Sequence, residues 1–167
     1  MTQPCDLSAS EARRLIGSGA LSPVELTLSC LGRIETLNPT LNAIVTLVED
    51  RALEEAELAA KAVVRGDSLG LLHGLPVAIK DLHATEGVVT TYGSSFYQDH
   101  VPDEDAGIVA RIRSAGGIVI GKTNIPEMSI GANTINRLFG ATGNPYAPDL
   151  TCGGSSGGSA VAVATGM

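Results

Sequence analysis

The sequence has few aromatic residues and few cysteines, and each shortage excludes a class of structure. Its 167 residues include three tyrosines, two phenylalanines and no tryptophan, so the core must be built from aliphatic side chains. The three cysteines, Cys5, Cys30 and Cys152, are odd in number and have no CxxC spacing. They therefore predict reduced thiols in a cytoplasmic protein, and neither a disulfide framework nor a zinc site.

Long apolar runs and basic clusters are also missing. No apolar run approaches the roughly 18 residues of a membrane-spanning helix, and the polar N-terminus does not resemble a signal peptide. The net charge is −7, and the eleven basic residues are scattered. Binding to nucleic acid needs clustered Lys and Arg to meet the phosphates. We therefore expect a protein that binds neither membranes nor, directly, nucleic acid.

The residues that are present favour one α/β domain over 1–167. Hydrophobic residues make up 44% and charged residues 17% of the chain, which is a globular balance. Residues 1–70 are predicted to form a helical layer, because capping patterns and helical periodicity recur there. The predicted elements are a helix from Ser8 to Gly17, a helix from Ser22 that ends at Asn38-Pro39, a strand over 42–48 and a helix over 49–65 closed by Gly66.

Residues 71–167 change in character, since short apolar strands now alternate with helices. The predicted elements are strands over 75–79, 88–92 and 118–120, and a helix capped by Asp105 that runs through Ala115. This order indicates a mixed, largely parallel β-sheet on which the helical layer packs. From Asn124 the chain is expected to be rich in loops, with a turn over 146–151. A Gly/Ser loop over 153–159 then leads into a helix of small residues.

Residues 116–123 match the letter pattern of a phosphate-binding P-loop. Such a loop must be flexible so that successive N–H groups can wrap around a phosphate. The interior here is Ile118-Val119-Ile120, a predicted strand, and Pro126 follows where the P-loop helix should be established. We therefore do not expect nucleotide binding, and Lys122 is interpreted as structural.

Ser155 and Ser156 each lie at the centre of a G-x-S-x-G pattern, which is typical of the nucleophile elbow of serine esterases. The elbow follows a hydrophobic strand, whereas residues 146–151 predict a turn. Its acid and His partners follow the serine, and no Asp, Glu or His follows Ser156. A G-x-S-x-G serine esterase therefore remains an alternative only if further sequence supplies both partners.

Lys80 stands at the end of the apolar strand Pro76-Val77-Ala78-Ile79, beside Asp81. Burial disfavours the ammonium, so the pKa of such a lysine should fall and a neutral amine becomes available as a base. A Ser–Lys pair is one variant of nucleophilic catalysis. The pattern alone leaves a plainer alternative open, in which Lys80 forms a salt bridge to a carboxylate at the strand end.

The chain resembles the amidase-signature family in four blocks of sequence. They are GLPVAIKD at 74–81, GKTNIPEM at 121–128, FGATGNPY at 139–146 and GGSSGGSA at 153–160. One block would be a weak signal, but four in the family's order, behind a family-like helical N-terminus, are specific. The resemblance implies the family's α/β fold, of which this chain would be the N-terminal portion.

The resemblance also implies roles for site residues. Lys80 matches the family's neutral lysine base, and Ser155 matches its bridging serine, with a cis peptide bond between Gly154 and Ser155. Ser156 either supports this network or caps the loop. The family's nucleophilic serine belongs to a second Gly-Gly-Ser element that this chain lacks, so it is expected beyond Met167. The chain by itself is then expected to be inactive.

The implied activity is hydrolysis of the C–N bond of a small carboxamide, with no metal or organic cofactor. A stand-alone amidase, which could be a homodimer, is the first interpretation. The second is the A subunit of a glutamyl-tRNA(Gln) amidotransferase, which releases ammonia from glutamine together with a partner subunit. The third is a non-catalytic fragment.

Overall fold

The computed structural model describes residues 3–167 and places an N-terminal helical layer against a small mixed sheet. The elements are helices α1 (Ala9–Gly17), α2 (Pro23–Leu41), α3 (Glu49–Arg65), α4 (Gly107–Ser114) and α5 (Gly157–Thr165), and strands β1 (Ile44–Leu47), β2 (Pro76–Lys80), β3 (Ile118–Thr123), β4 (Ile135–Asn136), β5 (Gly140–Ala141), β6 (Gly143–Asn144) and β7 (Ala147–Thr151). Single 3-10 turns cover Pro4–Asp6, Ser95–Tyr97 and Glu127–Ser129.

The first helices begin where capping residues predict them. The Ser8 hydroxyl accepts the Glu11 N–H at 3.2 Å, at the start of α1. At α2 the Ser22 hydroxyl accepts the Val24 N–H at 3.2 Å, and the Glu25 carboxylate accepts the Ser22 N–H at 2.9 Å. These contacts satisfy N–H groups that have no partner inside the helix. The predicted starts of both helices are confirmed.

Helix α2 does not end at Asn38-Pro39, so that prediction is wrong. The helix continues to Leu41 with Pro39 inside it, and Asn42 closes it in a left-handed conformation with φ of 50°. The Asn38 side chain explains the continuation. Its Oδ1 atom accepts the N–H groups of Ala43 and Ile44, each at 2.8 Å, and thereby ties the end of the helix to β1.

The central sheet has the order β1-β3-β2, with β1 antiparallel and β2 parallel to β3. All six residues of β3 are buried. Lys80 at the end of β2 lies opposite Thr123, and Ile79 lies opposite Lys122. The sheet packs on α2, α3 and α5 through an aliphatic core that includes Leu31, Ile34, Ile44, Ile118, Ile120 and Val161. The predicted mixed α/β class is confirmed.

Residues 88–92 do not form the predicted strand. The Thr91 N–H donates to the Asp81 carboxylate rather than to a neighbouring strand, and Tyr92 has a φ of 53°, which ends any extended run. The cap of α4 also differs, because Ala106 rather than Asp105 precedes its first residue. The Asp105 carboxylate instead accepts the Glu86 N–H at 2.8 Å.

The predicted turn over 146–151 is wrong in most of its length. Residues Ala147–Thr151 form β7, which pairs antiparallel with β6 in a two-stranded ribbon. Only Pro145 and Tyr146 turn the chain, and the Asn144 side chain accepts the Tyr146 N–H at 2.9 Å. The pairing depends on β6, which carries no strand signal of its own.

The three cysteines are free thiols. Within residues 3–167, no helix is both long and apolar enough to cross a membrane.

Candidate active site

The end of β2 and the Gly/Ser loop meet at the amine of Lys80. Its Nζ atom lies 2.8 Å from the hydroxyl oxygen of Ser155 and 2.9 Å from that of Ser156. Lys80 and Ser155 are half-buried, whereas Ser156 is exposed. The structure therefore brings together the three polar side chains that the sequence singled out.

Lys80 does not form the salt bridge that the sequence left open. It makes no ion pair with any of residues 3–167. The carboxylate beside it, Asp81, approaches Lys122 instead, at 3.9 Å. Burial lowers the pKa of Lys80 below its ordinary value, which favours the neutral amine.

The peptide bond between Gly154 and Ser155 is cis. Gly154 lies against the chain at Ala132 and Asn133, where a Cβ atom would come within 3.0 Å of the backbone. Any larger residue would push the loop away from this neighbour. The position of Ser155 over Lys80 thus depends on a glycine before it.

Thr134 holds the Gly/Ser loop through hydrogen bonds on both sides of the serine pair. Its hydroxyl donates to the Gly153 carbonyl at 2.8 Å and accepts the Gly157 N–H at 3.0 Å, so it bridges both ends of the serine pair. Its backbone N–H also donates to the Gly153 carbonyl, at 2.9 Å. Three hydrogen bonds to one residue fix the loop before α5 begins. The amidase-signature resemblance implies a substrate pocket near residues 133–136, but it does not predict this contact between Thr134 and the loop.

A further hydroxyl contact joins the sheet to the first turn of α5. The Oγ1 atom of Thr123 and the Oγ atom of Ser159 are 2.7 Å apart. Thr123 is the partner of Lys80 across β2 and β3, so both side chains reach segment 155–159. The sequence indicates that Ser159 lies in the Gly/Ser loop, and it predicts no function for either residue.

The chain as a whole matches known proteins in sequence and in fold. Residues 25–167 match the family model described as Amidase. The chain belongs to the amidase family. It is 44% identical over 160 residues to the indoleacetamide hydrolase of Bradyrhizobium diazoefficiens, a match that covers 96% of this chain and 30% of that protein. It is 41% identical over 167 residues to the A subunit of the glutamyl-tRNA(Gln) amidotransferase of Chloroflexus aurantiacus, a match that covers 100% of this chain and 34% of that protein.

The fold of the chain also matches that of solved structures from the amidase signature family. A bacterial aryl acylamidase of the amidase signature family superposes with a TM-score of 0.90 at 33% identity, over 95% of this chain and 33% of that one. The chain spans about a third of the length of the relatives it matches. The family resemblance inferred from four sequence blocks is therefore confirmed.

The four blocks of sequence map onto defined parts of the fold. The first is β2 with the turn after Lys80, and the second runs from the end of β3 into the next loop. The third contains β5 and β6, and the fourth is the Gly/Ser loop with the start of α5. The first and fourth blocks supply the contacts of Lys80 with Ser155 and Ser156, and the second supplies Thr123, which contacts Ser159.

The P-loop pattern of this chain does not form a phosphate-binding loop. Residues 118–123 are the central strand, and Lys122 is fully buried. Its amine donates to Thr85 and Thr90 and to the His83 carbonyl, so it has no access to a phosphate. The sequence-based rejection of nucleotide binding agrees with this geometry. The polar cluster around Lys122 was not foreseen, because its members are distant along the chain.

The G-x-S-x-G pattern at Ser155 meets one requirement of a nucleophile elbow but not another. A strand, β7, does precede Ser155, contrary to the sequence-based objection. This strand belongs to the β6–β7 ribbon and not to the central sheet. The side-chain partner of Ser155 is an amine, Lys80, whereas an elbow serine pairs with a His. The geometry therefore favours Ser–Lys chemistry.

Proposed function

We propose that the protein is an amidase that hydrolyses the C–N bond of a small carboxamide through a Ser–Ser–Lys triad. This chain supplies Lys80 as the base and Ser155 as the bridging serine, and the nucleophilic serine lies C-terminal to Met167. The contact of 2.8 Å between Lys80 Nζ and Ser155 Oγ carries the proposal. We also propose that the protein works in the cytoplasm, because free thiols such as those of Cys5 and Cys30 are typical of a reducing compartment.

The geometry suits a proton relay. A neutral amine has one lone pair and two N–H groups. It can accept the Ser155 hydroxyl proton while one N–H donates to Ser156, at the two observed distances. Ser156 would thus orient the lone pair toward Ser155. The lowered pKa of Lys80 increases the fraction of neutral amine at pH 7.

The proposed reaction has two halves. Ser155 takes the proton of the nucleophilic serine as that serine attacks the amide carbon, and passes its own proton to Lys80. The ammonium of Lys80 then returns a proton through Ser155 to the leaving nitrogen, and the C–N bond breaks to give an acyl-enzyme and an amine or ammonia. Water then attacks the acyl-enzyme with the same proton transfers through Ser155 and Lys80, and the acid product leaves as a carboxylate.

The nucleophile is assigned elsewhere because the amidase-signature resemblance implies a second Gly-Gly-Ser element for it, and residues 160–167, which follow the Gly/Ser loop, contain no such element. Ser155 and Ser156 both contact Lys80, and Ser159 contacts Thr123. We propose that the 167-residue chain is therefore inactive alone.

Fluorophosphonate labelling tests this assignment. The 167-residue chain is compared, by intact mass, with a chain continued through the reading frame that follows Met167, here termed the extended enzyme. We expect the extended enzyme alone to be labelled. Label on the 167-residue chain would make Ser155 or Ser156 the nucleophile and favour the esterase alternative. Absence of label and of amide turnover in both would leave a non-catalytic fragment.

A second candidate is the A subunit of a glutamyl-tRNA(Gln) amidotransferase. It is favoured by 41% identity to such a protein over the whole of this chain. Co-purification of a partner protein, with ammonia release from glutamine that depends on that partner, would support it. Turnover of indole-3-acetamide or an aryl acylamide by the extended enzyme alone, with no activity on glutamine, would support a stand-alone amidase instead.

A further inference from the structure

The buried polar cluster on the other side of β2 and β3 surrounds the amine of Lys122. This side chain is fully buried, and its Nζ atom donates to the His83 carbonyl at 2.6 Å, to the Thr90 hydroxyl at 2.7 Å and to the Thr85 hydroxyl at 2.9 Å. Buried lysines are rare unless their charge is compensated. The cluster is not part of the proposed triad.

The hydrogen bonds around Lys122 suit an ammonium. The Thr85 hydroxyl donates to the His83 carbonyl and the Thr90 hydroxyl donates to the Val88 carbonyl, both at 3.1 Å. Each hydroxyl has one hydrogen, so both can only accept from Lys122. Together with the His83 carbonyl they use three hydrogens, and a neutral amine has two.

Asp81 supplies the compensating charge. Its carboxylate is fully buried and lies 3.9 Å from Lys122 Nζ. It accepts the Thr91 hydroxyl at 2.5 Å and the Thr91 N–H at 3.2 Å. Lys122 and Asp81 therefore hold the two ends of the segment 83–91, which has neither helix nor strand of its own.

This segment begins next to the proposed lysine base. The His83 N–H donates to the Lys80 carbonyl at 3.0 Å, and the carbonyl of the same His83 accepts from Lys122 at 2.6 Å. The Asp81 N–H donates to the Thr123 carbonyl at 3.1 Å. One residue, His83, thus links the backbone of Lys80 to the buried ammonium.

We infer that Lys122 and Asp81 form a buried positioning pair that holds the turn after Lys80 and so sets the place of its amine against Ser155. The inference rests on the proposed function. Neither residue touches the serines. They act through the Lys80–His83 turn, which keeps Lys80 at the loop and partly shielded from water.

The test is Lys122→Met in the extended enzyme, with kcat, KM and the pH dependence of kcat/KM measured on a carboxamide that it hydrolyses. Methionine fills similar space but cannot donate. We expect kcat to fall about 10- to 100-fold with little change in KM, because small misplacements of a catalytic group cost about that much. We also expect the rising limb of the pH profile to move to higher pH, because water that reaches Lys80 favours its ammonium.

Lys61→Met is the matched control, because Lys61 is exposed and pairs only with Glu57, at 3.7 Å. It should leave all three quantities unchanged. Circular dichroism shows whether Lys122→Met is folded. If it is not folded, Thr90→Val takes its place. This change removes one of the hydrogen-bond acceptors of Lys122 and should still move the rising limb of the kcat/KM profile to higher pH. A folded variant with parental kcat and an unmoved limb would overturn the inference.

Lys80→Met separates this inference from the proposed function. Activity that survives Lys80→Met would overturn both. Activity that is lost in Lys80→Met but kept in folded Lys122→Met would overturn only the positioning role.

Discussion

Lys80 and Thr123 lie opposite each other on the parallel strands β2 and β3, and both side chains reach the same segment of chain. Lys80 contacts Ser155 at 2.8 Å, and Thr123 contacts Ser159 at 2.7 Å. The sheet therefore holds the loop and the first turn of α5 at two points. This double attachment explains how an irregular, glycine-rich segment can present a serine to an amine in a defined place.

Lys80→Met should abolish amide turnover by the extended enzyme. Among residues 3–167, Lys80 is the one basic side chain that is hydrogen-bonded to Ser155, and the amine of Lys122 is buried among other partners. We expect a loss of at least about 10³-fold in kcat, as for other triads that lose a member. Initial rates of ammonia release measure it. Activity within tenfold of the parent, in a variant with a parental circular dichroism spectrum, would refute Lys80 as the base.

Ser155→Ala and Ser156→Ala should differ although both hydroxyls contact Lys80. Ser155 is proposed to carry the proton, so its loss should cost several orders of magnitude in kcat, about 10³-fold or more. Ser156 is proposed only to orient the amine, so its loss should cost about 10-fold to 100-fold. Single-turnover rates of the two variants compare them directly. A reversed order would assign the relay to Ser156.

The rate of the extended enzyme should rise with pH. Lys80 acts as a neutral base, so kcat/KM increases as its ammonium loses a proton and becomes constant above that pKa. Burial lowers the pKa of Lys80, so the plateau should be reached below the about 10.4 of an exposed lysine. A profile of kcat/KM between pH 5 and pH 10, in about half-unit steps, locates the limb. A limb at the ordinary lysine value would contradict a shielded base.

Lys122→Met should lower the free energy of unfolding far more than Lys61→Met. Burial lowers the pKa of Lys122 to about 8, so at pH 7 the ammonium is the main form. Its loss leaves the buried Asp81 carboxylate without its charge partner, which costs about 3–5 kcal/mol. The exposed pair of Lys61 and Glu57 is worth at most about 1 kcal/mol. Urea unfolding at pH 7 compares the two.

The double variant Asp81→Asn/Lys122→Met sharpens that comparison. It removes the charge as well as its partner, so it should recover part of the stability lost in Lys122→Met. If the double variant loses more unfolding free energy than the two single variants lose together, Lys122 and Asp81 do not act as a charge pair.

Gly158→Ala and Gly32→Ala should change stability in opposite directions. A Cβ atom at Gly158 would lie 2.5 Å from the Asn124 backbone nitrogen and 2.7 Å from the Ala43 carbonyl oxygen. Helix α5 would have to move away, at a cost of about 1–3 kcal/mol. Gly32 faces open space within α2, so alanine there should add about 0.5–1 kcal/mol. Equal unfolding midpoints would show that α5 is not held as closely as the structure has it.

Local features of the sequence were predicted well. Ser8 and Ser22 start helices, and Gly66 ends one, because capping groups act on N–H and C=O groups within a few residues. The strand that ends at Lys80 and the helix after the Gly/Ser loop were also predicted, from apolar runs bounded by polar residues and glycines.

Features that depend on hydrogen bonds outside the expected capping and turn patterns were missed. Strand β7 exists because β6 pairs with it, and α2 passes Pro39 because Asn38 binds the start of β1. Asp105 looked like a helix cap, yet its carboxylate accepts an N–H from Glu86, 19 residues away. In each case a competing hydrogen bond to a residue outside the local pattern replaced the expected one.

The sequence by itself determined the family of this chain, its helix starts, and the residue types from which a Ser–Lys site could be built. The sequence also separated the three lysines by expected role, but the tertiary structure alone decided which partners each of them has. Lys61 stays in solvent, Lys122 is enclosed by threonines, and Lys80 meets Ser155 across 75 positions of chain. The reason is that successive side chains of a strand point to opposite faces of the sheet. Lys80 lies opposite Thr123 on the paired strands, so Lys122, the neighbour of Thr123, points to the other face. The partners on each face enclose Lys122 and bring Lys80, the proposed base, to the serines.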